Sequence, residues 1–452
     1  MHQPEDESYP TVQAPRPEPP DAAPPILGAA PAPGPAPSAR RRLLVTAAAT
    51  AFLTGIGVTA VVLLNGGPAG PDLTGVEPVY REIPDPYPPA NTLTEVPEDC
   101  GLRPGTLADL VPKAAKNRNP GPESVDGLVM TCGFSSDVSL SEIVYQNLAT
   151  GSLTVTFQSH VNAFEKPSVS QAISIMSVSR EDGNAAWQEV TGLGDEAVAQ
   201  YDDLARGGEV LFRHGAVLIT VRYSGRTAPD ITEENAGQFS LYRGKEIGEK
   251  PAVDGALRAA REVAASVGAE VGDVAMGVPP ERGSPLAPRP ACSLVTPAVL
   301  ERLALRSAPE PVDTSLVSTE AKGGTCLWNG DPRLEIDTGV LTGTVREGAS
   351  LAAHHAYLDR YHGTRDGDQV DVVDKPTGRF RTLTGLGDEA FVFSYKAYSA
   401  PDPVGTRQCA EIFFRLRNTL TEISLCGNGL SEQDARTAVS LVASDAAAAL
   451  AR

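Results

Sequence analysis

The sequence lacks the short motifs that mark common catalytic centres. It has no G-x-S-x-G, no S-x-x-K and no H-E-x-x-H, which argues against the serine-nucleophile and zinc-protease classes that these motifs identify. It also has no Cys-x-x-Cys, which argues against zinc binding and dithiol redox catalysis. We therefore expect a protein that is not an enzyme and that has no catalytic residues, no cofactor and no metal site.

Basic residues are too few to balance the acidic ones. The chain has 57 Asp and Glu against 38 Lys and Arg, a formal net charge of −19. Residues 1–70 hold five acidic and four basic residues, a sum of −1, so the remainder carries −18 (−19 minus −1). Such a surface repels nucleic acid and anionic wall polymers, so we expect no nucleic-acid partner.

The N-terminal part lacks the periodic apolar pattern of a globular domain. Residues 1–39 are rich in proline and predict a disordered cytoplasmic tail. Three arginines at 40–42 precede an uncharged run at 43–64, which as a helix would span roughly 33 Å, about one bilayer core. We predict a transmembrane helix at 40–64, a signal anchor that contacts the lipid bilayer and leaves the N-terminus cytoplasmic. A cleaved signal peptide is the competing interpretation, which the long preceding tail disfavours. Residues 65–95 are Pro-rich and predict an extracytoplasmic stalk.

One seven-residue string, TGLGDEA, occurs twice. It lies at 191–197 and again at 384–390, an offset of 193 (384 minus 191). The cysteines keep the same period, because Cys100 to Cys292 is 192 residues and Cys132 to Cys326 is 194. The chain therefore carries one domain design twice.

The domain boundaries follow from this tandem repeat. We predict a first copy at 96–270, a Pro-rich linker at 271–290 and a second copy at 291–452.

Helical and strand patterns are mixed in each copy. Helices are predicted at 168–179 and 349–362, and a closing helix in each copy has its own start signal. Asp254 is the expected cap of the first closing helix, and Ser431 with Asp434 predicts a capping box for the second. The strands near each end look hairpin-linked. We therefore predict two α+β domains, each an antiparallel sheet packed with helices.

All six cysteines follow the predicted membrane span. An even number in an exported domain indicates disulfide bonds. Six cysteines allow 15 pairings, from which the repeat selects Cys100–Cys132 and Cys292–Cys326. The pair Cys409–Cys426 is then left to the second copy alone.

The last pair can be tested by hairpin geometry. If 412–416 and 419–425 form a hairpin with a two-residue turn at 417–418, opposed residues have numbers that sum to 835 (416 plus 419), and 409 plus 426 is also 835. The cysteines then face each other at a non-hydrogen-bonded pair, about 4.5 Å between Cα atoms, within disulfide range. We expect this disulfide on the more polar side of the hairpin.

The repeated string has a structural and a functional interpretation. Its glycines permit positive φ in a tight connection and its aspartate can supply turn hydrogen bonds. Alternatively its carboxylates or amides could bind an ion. Occurrence in both copies favours a turn, and the string is not a dinucleotide-binding fingerprint. The turn residues are Gly192, Gly194 and Asp195 in the first copy and Gly385, Gly387 and Asp388 in the second.

Histidine is rare, with six in the chain, and three of the six lie in one predicted helix. His355 and His362 are seven residues apart and share a helix face, so a metal or pH-sensitive site is conceivable there. We expect exposed helix residues to be the better account of this cluster, which includes His354. We expect the Trp187 and Trp328 side chains to pack in the core rather than to contact a ligand.

The second copy resembles a known family. The segments Cys292-Ser-Leu-Val-Thr-Pro-Ala298, Cys326-Leu-Trp328 and Gly385-Leu-Gly-Asp-Glu-Ala-Phe391 are similar to the exported domain of unknown function common in actinobacterial cell-envelope lipoproteins. More distantly, they resemble the extracellular sensor domains of mycobacterial serine/threonine kinases. The first copy matches at its cysteines and at 192–197 but lacks the Cys-x-Trp element. The resemblance implies an exported domain with no established catalytic residues.

Three functions remain open at this point. The favoured one is a non-catalytic ligand-binding or sensing module of the cell envelope, with a groove within or between the copies and an unknown envelope ligand or protein as partner. The alternatives are a scaffolding component of an envelope complex and, less favoured, an envelope hydrolase that uses carboxylates. Function is expected where the two copies differ, at Cys409–Cys426, the 354–362 helix and Trp328.

Overall fold

The computed structural model describes part of the chain. Described are residues 71–452 except 77–79, 88–92, 94, 98, 125–126, 140–142, 144–147, 163–165, 182–186, 230–243, 278–283, 315–316, 319, 344–347, 368–378 and 399–405, with the backbone alone for 117–124, 127–128, 398 and 406. The predicted tail and membrane helix lie outside the described residues. Within those that are described, no helix is both long enough and apolar enough to cross a bilayer.

The described residues form two antiparallel sheets and six α-helices. The strands are β1 Arg81–Ile83, β2 Ala114–Ser124, β3 Gly127–Ser136, β4 Thr150–Ser159, β5 Gln188–Leu193, β6 Glu196–Asp202, β7 Gly207–His214, β8 Val217–Arg226, β9 Val271–Met276, β10 Glu310–Val312, β11 Lys322–Trp328, β12 Arg333–Val340, β13 Arg379–Thr384, β14 Glu389–Tyr398, β15 Thr406–Leu416 and β16 Thr419–Asn428. The helices are α1 Pro104–Leu110, α2 Val169–Glu181, α3 Glu249–Ser266, α4 Pro297–Arg302, α5 Ala349–Asp366 and α6 Glu432–Ala451. The predicted α+β class is confirmed.

The two sheets correspond strand by strand. The first has the order β2-β3-β4-β8-β7-β6-β5-β9, and the second, read from its other end, has β10-β11-β12-β16-β15-β14-β13-β1. The edge strand β9 follows the closing helix of the first copy and pairs with β5. Its counterpart β1 comes from the other end of the chain, from the range 65–95, and pairs with β13 of the second copy. The segment before the first copy therefore completes the sheet of the second.

Each sheet has a helix on both faces. One face packs against the closing helix, α3 in the first copy and α6 in the second, and forms the main apolar core of that copy. The other face carries α2 or α5, and these two helices also pack against each other. Val169 and Ile173 of α2 share an apolar cluster with Tyr357 of α5. This cluster joins the two copies.

The closing helices test two of the predicted caps. The capping box is confirmed, because the Ser431 side chain accepts a hydrogen bond from the Asp434 amide and Asp434 reaches back to the Ser431 amide. The cap predicted at Asp254 is wrong, since α3 begins at Glu249. Pro251 lies in its first turn, where a missing N–H costs nothing, so the helix starts earlier than the apolar pattern suggests. Asp254 instead pairs with Lys250, four residues before it.

The three predicted disulfides are confirmed. The β15–β16 hairpin has the predicted register, with Leu416 opposite Thr419 and Cys409 opposite Cys426, and the two cysteine Cα atoms lie 4.1 Å apart. The disulfide lies on the more polar face of the hairpin, as expected, since that face also carries Glu411, Arg415 and Glu422. Phe413, on the same face, is buried in the apolar cluster with α5, because α5 covers the face that the hairpin alone would leave to solvent.

Candidate functional site

The repeated string forms the turn between two strands in each copy. Gly194 has φ of 63° and Gly387 has φ of 64°. A Cβ atom would lie 2.5 Å from the Arg213 carbonyl oxygen at Gly194 and 2.4 Å from the Arg415 oxygen at Gly387. Positive φ and the close backbone approach both require glycine. Gly192 and Gly385 also have positive φ, 74° and 93°.

The aspartate of the string caps the neighbouring hairpin. The Asp195 carboxylate accepts hydrogen bonds from the Gly215 amide at 2.7 Å and from Arg213 at 2.9 Å. In the second copy Asp388 accepts from the Arg417 amide at 2.6 Å. The same residue type therefore ties the same two turns together in both copies.

The glutamate of the string is a buried anion. Arg213 Nε donates to Glu196 at 2.6 Å, and the side chains are 4% and 5% exposed. Burial opposes ionisation of Glu196, but the charges of Arg213, His355 and Arg180 outweigh burial and hold the pKa of this carboxyl below its ordinary value. Glu196 is therefore a structural anion.

A series of polar contacts runs from this anion across to the second copy. Arg180 of α2 lies 3.0 Å from Glu196 and 3.2 Å from Glu189. His355 of α5 lies 3.4 Å from Glu196. These contacts place an ionic cluster, next to the shared apolar cluster, between the copies.

The histidines of α5 do not converge on one site. His355 points to the first copy, His354 lies 2.9 Å from Glu389 of its own copy, and His362 faces Asp366. His355 and His362 are buried, so the prediction that these residues are exposed is wrong for both. α5 packs against α2 on one side and the sheet on the other, which the helix pattern could not reveal. In the described parts of the chain, no group of three His, Cys, Asp or Glu side chains is arranged to hold a metal ion.

The first copy has an open groove on the face of its sheet that carries α2. Its cavity volume is about 770 Å³. Apolar side chains form one part of the lining and polar side chains of β6, β7 and β8 form the other. The lining includes Ile175, Ser179, Trp187, Gln200, Asp202, Asp203, Glu209, Leu211, Thr220 and Arg222.

The polar end of the groove is built across three strands. Gln200 of β6 lies opposite Glu209 of β7, which lies opposite Arg222 of β8. Gln200 Nε2 donates to one oxygen of Glu209 at 3.1 Å, and Arg222 Nε donates to the other at 2.9 Å. The Gln200 amide is therefore oriented with its oxygen away from the carboxylate.

Gln200 retains an unused acceptor. Its residue is 7% exposed, and Oε1 has no hydrogen-bond partner among the described residues. A buried polar atom without a partner costs about 1–3 kcal/mol. Gln200 lines the groove, so this unpartnered oxygen belongs to a residue at its polar end.

Larger side chains occupy the equivalent place in the second copy. The string offset of 193 equates Gln200 with Phe393 and Asp202 with Tyr395. The hairpin offset, 202 (Arg415 minus Arg213), equates Glu209 with Glu411. The groove therefore exists where the first copy has short polar residues in place of aromatic ones.

The helices differ in the same sense. Arg180 of α2 lies 3.2 Å from Glu189, and Tyr361 of α5 lies 2.6 Å from Thr382. The two contacted residues, Glu189 and Thr382, are 193 apart and therefore occupy equivalent strand positions. Arg180 and Tyr361 are therefore equivalent, 181 apart, and the residues before them, Ser179 and Arg360, are equivalent too.

Arg360 occupies the place that the groove leaves open. It donates to Glu411 at 3.1 Å and to Glu422 at 2.9 Å, with its guanidinium carbon 6.0 Å from the centre of the Phe413 ring. The second copy thus carries its own cation where the first has an opening beside Ser179.

Most of the residues that the sequence singled out lie away from this groove. Trp328 is buried in the core of the second copy, as predicted. Trp187 is also buried in an apolar cluster, but it lines the groove as well. The sequence reasoning missed Gln200, Glu209 and Arg222. A copy-by-copy alignment of β6 to β8 carries the signal, because Gln200 aligns with Phe393.

Comparisons with known proteins assign no family. No family model and no curated protein matches the sequence. A solved structure, that of the di-domain ARO/CYC BexL from the BE-7585A biosynthetic pathway, aligns with a TM-score of 0.12 and 10% identity, covering 76% of this chain and 91% of that chain. A TM-score this low supports no conclusion about fold or function.

Proposed function

We propose that this protein is a membrane-anchored, extracytoplasmic binding module of the cell envelope, and that the groove of the first copy is its ligand site. The observation that carries the proposal is the groove itself, about 770 Å³, with the buried Gln200 oxygen, which lacks a partner in the described structure, at its polar end. Ligand sites combine an apolar wall with a few placed polar groups, and this groove has both. The proposed anchor is the apolar run at 43–64, with the acidic remainder of the chain outside the membrane.

Binding without catalysis fits the groove chemistry. Its described lining includes no histidine and no cysteine. The Glu209 carboxylate already accepts hydrogen bonds from Gln200 and Arg222. These two hydrogen bonds hold the carboxylate in a fixed orientation, as an acceptor for a bound group. The proposed role is recognition.

The test is a ligand-retention experiment on the full-length protein. The purified protein is incubated with a soluble muramidase digest of cell envelopes and washed, and the molecules released by denaturation are identified by mass spectrometry. The comparator is Thr220→Trp. Thr220 lies on β8 in the groove, where an indole tolerated by the strand would fill the space. The control is Asp254→Asn, which removes an exposed carboxylate on α3.

The expected result is a molecule retained by the wild type and by Asp254→Asn but not by Thr220→Trp. Retention of the same molecules by Thr220→Trp would show that the groove is not the site. Retention of nothing by the wild type would also count against the proposal.

A further inference from the structure

We propose that the ligand of this groove presents a guanidinium or ammonium group on an apolar stem, and that this group enters beside Ser179 and binds next to Glu209 and Gln200. The inference rests on the proposed function and adds the chemical class of the ligand. It comes from the comparison of the two copies, since the second holds such a group in the equivalent place.

The second copy shows what the groove accommodates. The guanidinium of Arg360 contacts Glu411, the equivalent of Glu209, and lies over the ring of Phe413, the equivalent of Leu211. The first copy has Ser179 where the second has Arg360. Of the two carboxylates that hold Arg360, Glu411 is kept as Glu209, whereas Glu422 is replaced by Thr220, its equivalent by the hairpin offset of 202. An apolar surface is kept, and the arginine is replaced by a short side chain.

The hydrogen-bonding groups of the groove favour a donor. Gln200 Oε1 is an acceptor without a partner in the described structure. A carboxylate has about four lone-pair sites, so Glu209 can accept further hydrogen bonds beside those from Gln200 and Arg222. A guanidinium has five N–H donors and no acceptor, and an ammonium has three. Either group satisfies the amide oxygen and the carboxylate together.

The charge of the groove points the same way. The described lining contains three carboxylates, those of Asp202, Asp203 and Glu209. It contains one cation, Arg222, whose side chain is 60% exposed. Three carboxylates against one guanidinium leave the lining with a charge of −2. An anionic ligand would be repelled, whereas a cation is attracted at short range.

The apolar wall of the groove indicates the chemistry of the rest of the ligand. Ile175, Trp187 and Leu211 face the groove, and an aliphatic stem can lie along them as the stem of a lysine or arginine lies along apolar surface. Such a stem occurs in basic peptide side chains and in free diamines. Both sources share the chemistry, and the experiment separates them.

The experiment titrates the full-length protein with defined probes by calorimetry. The probes are Nα-acetyl-arginine amide, its neutral isostere Nα-acetyl-citrulline amide, and agmatine, a free guanidinium compound without a peptide backbone. We expect the arginine amide to bind at least tenfold more tightly than the citrulline amide. Tighter binding of agmatine would identify a free amine as the source, and tighter binding of the arginine amide would identify a peptide.

Two variants localise the cation. Ser179→Arg supplies the side chain that the second copy carries, so it should weaken binding of the arginine amide at least tenfold and raise the melting temperature. Glu209→Gln should also weaken binding at least tenfold, while the charge-matched control Asp254→Asn should leave it unchanged. Trp187 fluorescence reports that the first copy of each variant is folded.

The outcomes separate this inference from the proposed function. Equal affinity for arginine and citrulline amides, or unchanged binding by Ser179→Arg, would overturn the cation assignment. If neither guanidinium probe binds, yet Thr220→Trp loses an envelope molecule that the wild type retains, the groove is a ligand site of another chemistry. If no molecule is retained either, both proposals fail.

Discussion

Replacing Arg213 with methionine tests whether the repeated string is held by buried charge. Arg213 Nε donates to Glu196 at 2.6 Å, and its Nη1 donates to Asp195 at 2.9 Å and to the Gly215 carbonyl at 3.0 Å. Methionine keeps much of the apolar volume and removes all of these donors. The substitution leaves Glu196 buried, beside the Arg180 guanidinium and the His355 imidazole.

The size of the expected loss of stability follows from the burial of the Arg213–Glu196 pair. Removing one partner of a buried pair costs about 3–5 kcal/mol, because an uncompensated charge stays behind. Since Arg180 still contacts Glu196, we expect Arg213→Met to lower the free energy of unfolding of the first copy by about 3 kcal/mol. The matched substitution Arg415→Met should cost less, about 1–2 kcal/mol, because Arg415 and Glu389 are 12% and 18% exposed and His354 also reaches Glu389.

The pH dependence has a defined sign. The folded-state pKa of Glu196 lies below its unfolded value of 4.5. Its contribution is therefore fully present above about pH 4.5 and is lost as pH falls toward the folded-state pKa. Arg213→Met weakens that contribution. The stability gap between the wild type and Arg213→Met should be constant at neutral pH and should narrow below about pH 4.5.

Tryptophan fluorescence gives each copy its own probe. The chain has two tryptophans, Trp187 in the first copy and Trp328 in the second. Urea unfolding is followed in a Trp328→Phe background for Arg213→Met and in a Trp187→Phe background for Arg415→Met. The double variant Glu196→Gln with Arg213→Met should recover part of the loss, because it removes the stranded charge. A loss below about 1 kcal/mol for Arg213→Met, or an equal loss for Arg415→Met, would refute the reasoning from burial.

Three further substitutions probe the second copy and the contact between copies. Cys409→Ser with Cys426→Ser opens a loop of sequence separation 17 and should lower the free energy of unfolding reported by Trp328 by about 3 kcal/mol; no change in the urea midpoint would contradict this. Burial and the charge of Glu411 raise the pKa of Glu422 to about 8, so its ionisation costs stability as pH rises from about 4.5 to 8. Glu422→Gln should therefore match the wild type in stability at pH 4 and exceed it at pH 8 by on the order of 4 kcal/mol. Parallel pH profiles of the two proteins would exclude that cause. His355→Leu removes the imidazole that the second copy places 3.4 Å from Glu196. This substitution should separate the urea midpoints reported by Trp187 and Trp328, and coincident transitions would disprove that expectation.

The local features of the second copy were predictable from short-range rules. The cysteine register depends on one two-residue turn and on strand pairing in steps of one residue, so the sum of 835 located the disulfide. The capping box at Ser431 depends on residues three apart. Each of these rules involves neighbours in sequence or residues directly opposite in a hairpin.

Features that depend on distant segments were not predictable in this way. β1 pairs with β13, about 300 residues away, through only three residues, and no local pattern specifies that partner. The burial of His355 depends on α2 of the other copy, which lies across the interface. The burial of the hairpin face with Cys409 was not predictable either, because the pattern of β15 and β16 contains no information about α5.

The two copies explain each other at the groove. Both keep the string glutamate, its arginine and the next carboxylate along the sheet, Glu209 or Glu411, so these residues belong to the common framework. They differ at the helix position that faces this carboxylate, where the first has Ser179 and the second Arg360. In the second copy the arginine satisfies Glu411 from within the chain. In the first the same position leaves a groove with an amide oxygen that has no partner in the described structure. The second copy therefore fills with the Arg360 guanidinium a position that the first copy, with Ser179, leaves open as a groove.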